Sequence, residues 1–205
     1  MSLWYRLLYQ VGLTPWEEDP PHELVAEQTS ALFDREKREH AGANRRALDL
    51  GCGSGIWSVR LAARGWQVAG VDVTLRAIDR ARERARVAAV EVNFIPGDVT
   101  SLGAIGIGGG FRFVLDFECF NHLNVAQRSE VGREVSAVAT EDATLLMLVW
   151  APGRRWPLPP GASREDIERA FPQWTIVDEE GYAATAALPS WMKNVNPRFY
   201  RLQRP

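Results

Sequence analysis

At 205 residues and 22.9 kDa, the chain is long enough to bury a full hydrophobic core in one domain without disulfides or a structural metal. Its 24 Lys and Arg stand against 26 Asp and Glu, a formal net charge of −2, so no overall field recruits nucleic acid or anionic lipid and any acidic partner must be recognised locally. The only cysteines, Cys52 and Cys119, lie far apart and in no metal-ligand spacing, the usage of a reduced intracellular protein, so the cytoplasm is the expected compartment and no metal is expected.

The opening "MSLWYRLLYQVGLTPWEEDPP" has a short apolar patch but no small-residue cleavage site, and it falls short of the ~18 apolar residues that a membrane span requires. It reads as neither signal peptide nor membrane helix. Leu3, Leu7 and Leu8 keep helical spacing, "TPWEEDPP" breaks it, and "HELVAEQTSALFDREKREH" resumes it. Residues 1–44 are therefore expected to form an N-terminal helical cap and 45–205 the core, within one domain.

The core starts with "ALDL", an apolar run ending at a glycine as buried parallel strands do. Helix "IWSVRLAARG", strand "WQVAGVD", helix "TLRAIDRARERARVAA" and strand "VEVNFIP" follow, the βαβαβ rhythm of a parallel sheet. After a glycine-rich loop, "SLGAIGIGGG", come a fourth strand in "FRFVLDFECF", a helix in "NVAQRSEVGREVSAVA" and a fifth strand, "ATLLMLVWA", whose apolar composition predicts a central place. The tail adds a proline-rich loop, a helix "SREDIERAF" with Ser163 at the N-cap and Asp166 three residues on, and strands "WTIVDEE" and "RFYRLQR" that could close the sheet as an antiparallel edge pair.

The chemistry concentrates in "LDLGCGSG". In an open α/β sheet, ligands bind outside the carboxyl ends of the strands, where a helix presents its N–H groups. Gly51, Gly53 and Gly55 permit positive φ and a close approach of ligand to backbone, with Asp49 two residues ahead. Asp72 ends the second strand 21 residues after Gly51, where a carboxylate accepts hydrogen bonds from both hydroxyls of an adenosine ribose. Asp98, after the third strand, is placed to accept from an adenine amino group, with the Val99 N–H beside it. Each acid alone could be a cap or turn residue; at these offsets together they favour a nucleoside site. Ile56 stands where a dinucleotide fingerprint has its third glycine, and no phosphate-loop motif occurs, which argues against a nicotinamide oxidoreductase.

"LDLGCGSG", "GVDVT", "GDVTSL" and "FRFVLDFECFNHL", in this order and spacing, resemble class I S-adenosylmethionine-dependent methyltransferases over residues 45–150. The resemblance implies an α/β Rossmann-like fold: a mostly parallel seven-stranded sheet with one antiparallel strand and helices on both faces. It implies S-adenosyl-L-methionine as cofactor and S-adenosyl-L-homocysteine as product, with the methionine part against Gly51, Cys52, Gly53 and Gly55, its amino group near Asp49, the ribose on Asp72, and the adenine between Val73 and the Asp98–Val99 pair. "LTPWEE" and "LDFECF" look like the thiopurine and tellurite-resistance branch of small-molecule methyltransferases, which implies Trp16 as a lid residue, or else simply core, and Asp116, Phe117 and Phe120 at the methyl end. The chain departs from that branch at Glu118, where glycine is usual.

Transfer from a sulfonium asks the protein mainly to align the nucleophile and exclude water. A thiol acceptor ionises easily, whereas a hydroxyl or amine can need a base, for which Glu118 and His122 are the candidates; His122 could equally be a helix-entry residue bonded to backbone. The expected partner is a small-molecule acceptor (thiol, hydroxyl or amine), with no nucleic acid or membrane, and the chain a monomer or homodimer. The "RARERAR" run alternates with acids and reads as a solvated helix face. A protein that binds the cofactor or its product without catalysis is the competing reading.

Overall fold

The computed structural model describes residues 22–42, 44–153, 158–188 and 190–205. Seven strands form one sheet in the order β3-β2-β1-β4-β5-β7-β6. They are β1 (Arg46–Leu50), β2 (Gln67–Asp72), β3 (Val92–Pro96), β4 (Phe111–Phe117), β5 (Ala139–Val149), β6 (Thr175–Gly181) and β7 (Arg198–Gln203). The first five pair in parallel, and β7 runs antiparallel to both neighbours, so it is the sheet's one reversed strand. The tail pair is antiparallel as expected, but β7 inserts beside β5 and only β6 is an edge. β5 is interior, one place from the middle strand, β4.

Among the described residues, five α-helices cover the sheet: α1 (Glu23–Glu39), α2 (Ile56–Ala62), α3 (Leu75–Val87), α4 (Val125–Val138) and α5 (Arg164–Ala170). Ser163 and Asp166 make the reciprocal capping box at the start of α5, and Asn124 with Gln127 makes a second one at α4. Boundaries shift from expectation by a few residues, and two of the shifts have a clear cause. β5 starts at Ala139 and not Ala143, because α4 runs straight into a ladder whose register slips between Phe111 and Phe113. β4 ends at Phe117 because Glu118 takes φ +77°, which no strand continues.

Side chains alternate between two cores. On one face Ala47, Val68, Phe113, Leu115, Leu146 and Phe199 pack against Leu32 and Phe33 of α1 and Leu61 of α2. On the other, Leu48, Val71, Val114, Leu145 and Met147 meet Val131 and Val135 of α4 and Ile167 of α5. Helix α1 buries Val25, Thr29, Leu32, Phe33 and Glu36, the 3–4 spacing of one face. Glu36, 1% exposed, is held by Arg201 Nε at 2.6 Å and by the Thr144 hydroxyl at 2.5 Å, which fixes the end of α1 across β5 and β7. At its other end Gln28 donates to the Gly181 carbonyl. Helix α1 is thus a layer on the sheet, running from the carboxyl edge of the parallel strands to their amino edge.

Candidate functional site: the carboxyl edge of strands β1, β2 and β4

The parallel order places the ends of β1, β2, β3 and β4 on one edge, and backbone bonds tie them there. Cys52 N–H donates to the Val71 carbonyl at 3.0 Å, and Gly97 N–H to the Asp72 carbonyl at 3.0 Å. Between β1 and α2, Gly51, Gly53 and Gly55 have φ of +64°, +52° and +78°. Their bareness has a second cause that the sequence did not reveal. A Cβ on Gly51 would lie 2.7 Å from Cys119 Sγ, and one on Gly55 would lie 2.8 Å from both Ala81 Cβ and Phe94 Cζ. At those two positions the fold itself, besides any ligand, excludes a side chain.

Asp72 is 7% exposed, and its two oxygens accept from Gly53 N–H (3.1 Å) and Thr74 N–H (2.7 Å). A carboxylate only accepts hydrogen bonds, the chemistry that a pair of ribose hydroxyls asks for. Beside it Thr74, 8% exposed, caps no backbone group, and its hydroxyl finds no partner among the described residues. An adenosyl ligand suits this edge: a bare backbone cradle, a fixed acid and an unsatisfied buried hydroxyl. Thr74 was not singled out from sequence; its only signal there is its place after "DV" at the head of a helix.

Asp49 is 1% exposed and accepts from the Ser58 hydroxyl of α2. Burial pushes its carboxyl up to about 7, against the pull of the Ser58 bond, with the nearby Asp72 charge pushing the same way as burial. Val73 is half-buried at the rim, Val99 turns its side chain into the large core, and Asp98 is exposed, accepting from Thr100 N–H (2.9 Å) and the Thr100 hydroxyl (2.7 Å). Cys52 is buried beside Gly70 and Cys119 half-buried against Gly51; burial pushes both thiols well up, so they stay protonated, as inert thiols do.

Past β4 the candidates separate. Asp116, on the α4 side of the sheet, is 1% exposed and accepts Phe120 N–H with both oxygens (3.0 and 3.1 Å), while burial lifts it to about 7. Phe120 is fully buried in the core. Neither side chain reaches an open surface. Phe117 is half-buried and stacks on Trp57 of α2 at 4.4 Å between centroids, an aromatic wall that sequence reading overlooked in Trp57. Glu118 is half-buried in a left-handed conformation that non-glycine residues rarely adopt, which explains why glycine is usual there in the branch the sequence resembles. Burial pushes its carboxyl to about 7, and a bond from Trp150 Nε1–H (3.0 Å) pulls the other way. His122, half-buried, is pushed by burial down to about 4, so it is neutral at physiological pH. Trp16 lies outside the described residues. Among those residues no group of three or more His, Cys, Asp or Glu could hold a metal, and no helix is long and apolar enough to cross a membrane.

Residues 47–142 match the family model of a methyltransferase domain. A ubiquinone biosynthesis O-methyltransferase of Caulobacter sp. (strain K31) is 31% identical over 187 residues, 81% of this chain and 73% of that one. Of two further curated methyltransferases the chain spans 25% and 46% of the length. The fold is shared with N-methyltransferase NodS of Bradyrhizobium japonicum WM9 in complex with S-adenosyl-L-homocysteine (TM-score 0.71, 19% identity, covering 96% of this chain and 98% of that one). It is shared also with TehB of Haemophilus influenzae (TM-score 0.69, 13% identity, 85% and 62% covered). Sheet order, glycine cradle and sequence relatives agree: the chain belongs to the class I S-adenosylmethionine-dependent methyltransferases.

Proposed function

We propose that this protein transfers the methyl group of S-adenosylmethionine to a small-molecule acceptor and releases S-adenosylhomocysteine. The observation that carries this is the Asp72 carboxylate locked beside a three-glycine cradle at the carboxyl edge of the parallel strands. When bound, the cofactor supplies an already activated methyl group, so little covalent chemistry is left to the protein. The chain's own part is to hold the ribose on Asp72, the methionine amino group near Asp49 and the adenine by Val73, Asp98 and Val99, and to align the acceptor, which can account for roughly 7 to 11 kcal/mol of barrier.

Of the two base candidates the reading favours Glu118. A carboxyl at about 7 is half ionised at neutral pH and takes a proton from an acceptor efficiently, whereas an imidazole at about 4 holds one poorly. This points to an acceptor that carries a proton to be removed, a hydroxyl before a thiol. The near-neutral net charge favours a small molecule over nucleic acid or membrane. The proposal extends to one domain with 45–205 as its core and 1–44, of which 1–21 and 43 lie outside the described residues, as its N-terminal part, acting in the cytoplasm as a monomer or homodimer.

The test is isothermal titration with S-adenosylmethionine, S-adenosylhomocysteine and NAD, repeated on Asp72→Ala, followed by a panel of thiols, phenols and amines scored by S-adenosylhomocysteine release. Binding of the first two but not NAD, with turnover on the panel, is the expected result. Binding without turnover would leave a cofactor-binding protein, and no binding of either would overturn the proposal.

A further inference from the structure

Trp150 follows β5 directly and donates two hydrogen bonds into the turn after β4. Its main-chain N–H reaches Asn121 Oδ1 at 3.0 Å, and its indole Nε1–H reaches Glu118 Oε1 at 3.0 Å. Trp150 is 7% exposed and Asn121 fully buried, so water does not substitute readily for either bond. The N–H donor from Trp150 fixes which end of the Asn121 amide is oxygen, and with it the seat of the turn. Asp116 clamps the same turn from the strand side through Phe120 N–H. Within this doubly held turn Glu118 keeps φ +77°, a conformation that persists only where the surroundings impose it.

We propose that Trp150 is a positioning residue for Glu118. Its main-chain bond anchors the 118–121 turn, and its indole bond occupies Oε1, leaving Oε2 as the oxygen that takes the acceptor's proton while the electron pair that held it stays on the acceptor atom. The inference rests on Glu118 as the base. An indole N–H bonds a carboxylate more strongly than a carboxylic acid, so Trp150 also tunes when Glu118 ionises.

The experiment is a pH titration of 13C-carboxyl-labelled glutamate by NMR on the full chain, with no cofactor or acceptor added; Glu118→Gln identifies the Glu118 signal by its loss. In Trp150→Phe, which keeps the main-chain N–H, the Glu118 midpoint should rise by roughly one to two pH units, ten- to a hundredfold in proton affinity. Cofactor affinity should be unchanged, and the acid limb of the kcat profile should move with the midpoint. If Trp150→Phe fails to fold, benzothienylalanine at position 150, which lacks only the N–H, gives the same readout. An unmoved or lowered midpoint overturns the assignment. Failure of the wild type to bind S-adenosylmethionine would instead remove the methyltransferase proposal, and the titration would still decide what Trp150 does.

Discussion

Asp72 Oδ2 reaches back 19 residues to accept the Gly53 N–H at 3.1 Å while Oδ1 caps Thr74, so the acid proposed to hold the ribose also ties the glycine cradle to the end of β2. Removing it therefore has two effects. Asp72→Ala should weaken S-adenosylmethionine by roughly 1.5–3 kcal/mol, tenfold or more in Kd, and also lower stability by about 1 kcal/mol as two N–H groups lose their acceptor. Asp72→Asn keeps one acceptor oxygen and should recover part of the stability but little of the affinity. Calorimetry and urea unfolding read the two separately, and equal recovery of both would show that Asp72 is only a structural cap.

Gly51 and Cys119 are in contact through a missing Cβ. Gly51→Ala should cost about 1–2 kcal/mol for the left-handed backbone and about 1–3 kcal/mol for overpacking against Cys119. Only the second part can be relieved by Cys119→Gly, because the clash involves Cys119 Cβ at 2.8 Å as well as Sγ. The double variant should thus be more stable than the sum of the singles by about 1 kcal/mol or more, measured by urea unfolding. Strict additivity would mean that the turn after β4 yields freely.

Much of this architecture is legible in sequence because it follows local rules. Strand β1 is a short apolar run stopped by Gly51, and Ser163 with Asp166 announces α5. The acids at 49, 72 and 98 are legible because parallel strands bring their ends to one edge. What stays hidden depends on packing between distant segments. The Trp57–Phe117 stack, the seat of Trp150 on Glu118 and the Gly51–Cys119 contact join residues with no periodic relation. Phe120 shows the same limit: its sequence neighbours suggest a site residue, yet the 118–121 turn folds its ring into the core. Trp16 lies outside the described residues and is not placed by any of this.

With the methionine amino group placed near Asp49 as proposed, cofactor binding is expected to be proton-linked. Its folded-state pKa of about 7 lies above the ordinary 3.8, so the folded protein holds an extra proton between those values. Its contribution to stability is therefore favourable at low pH, declines as pH rises from near 4, and is gone above about 7. A methionine ammonium nearby favours the carboxylate, so binding should release protons at pH 6.5, and affinity should rise with pH until it levels near neutrality. Titrations at that pH in two buffers of different ionisation enthalpy give the number of protons released. Asp49→Asn should lower it; the same count in both proteins would remove Asp49 from the linkage.

Glu36 and Arg201 form a buried ion pair at 2.6 Å, 1% and 5% exposed, that secures α1 to the sheet. Arg201→Met leaves a buried carboxylate with, among the described residues, the Thr144 hydroxyl and the 3.7 Å His40 ring beside it, and should cost about 3–5 kcal/mol. Glu36→Leu together with Arg201→Met removes both charges and should cost clearly less than Arg201→Met alone. Urea midpoints of the three proteins at pH 7 decide it. A double variant as unstable as the single would mean that packing of the Arg201 stem, and not the pair, holds the helix.

Glu118 combines a left-handed backbone with a carboxyl lifted to about 7 by burial, two costs in one residue. Glu118→Gln keeps the side-chain oxygen that meets the Trp150 indole and removes only the ionisation. Methyl transfer to a hydroxyl acceptor should then slow by about 10²–10⁴, and transfer to a preionised thiol much less. Stability should move the other way with pH. Below about 4 the carboxyl is neutral in both the folded and the unfolded wild type, and the two proteins should match. Above 7 the wild type must ionise a carboxyl that burial disfavours, so Glu118→Gln should be the more stable at pH 8. Rates on matched hydroxyl and thiol acceptors, with thermal unfolding at pH 4 and 8, test both halves. An unslowed variant removes Glu118 from the chemistry, and a variant less stable at pH 8 shows that the carboxylate is satisfied where it sits.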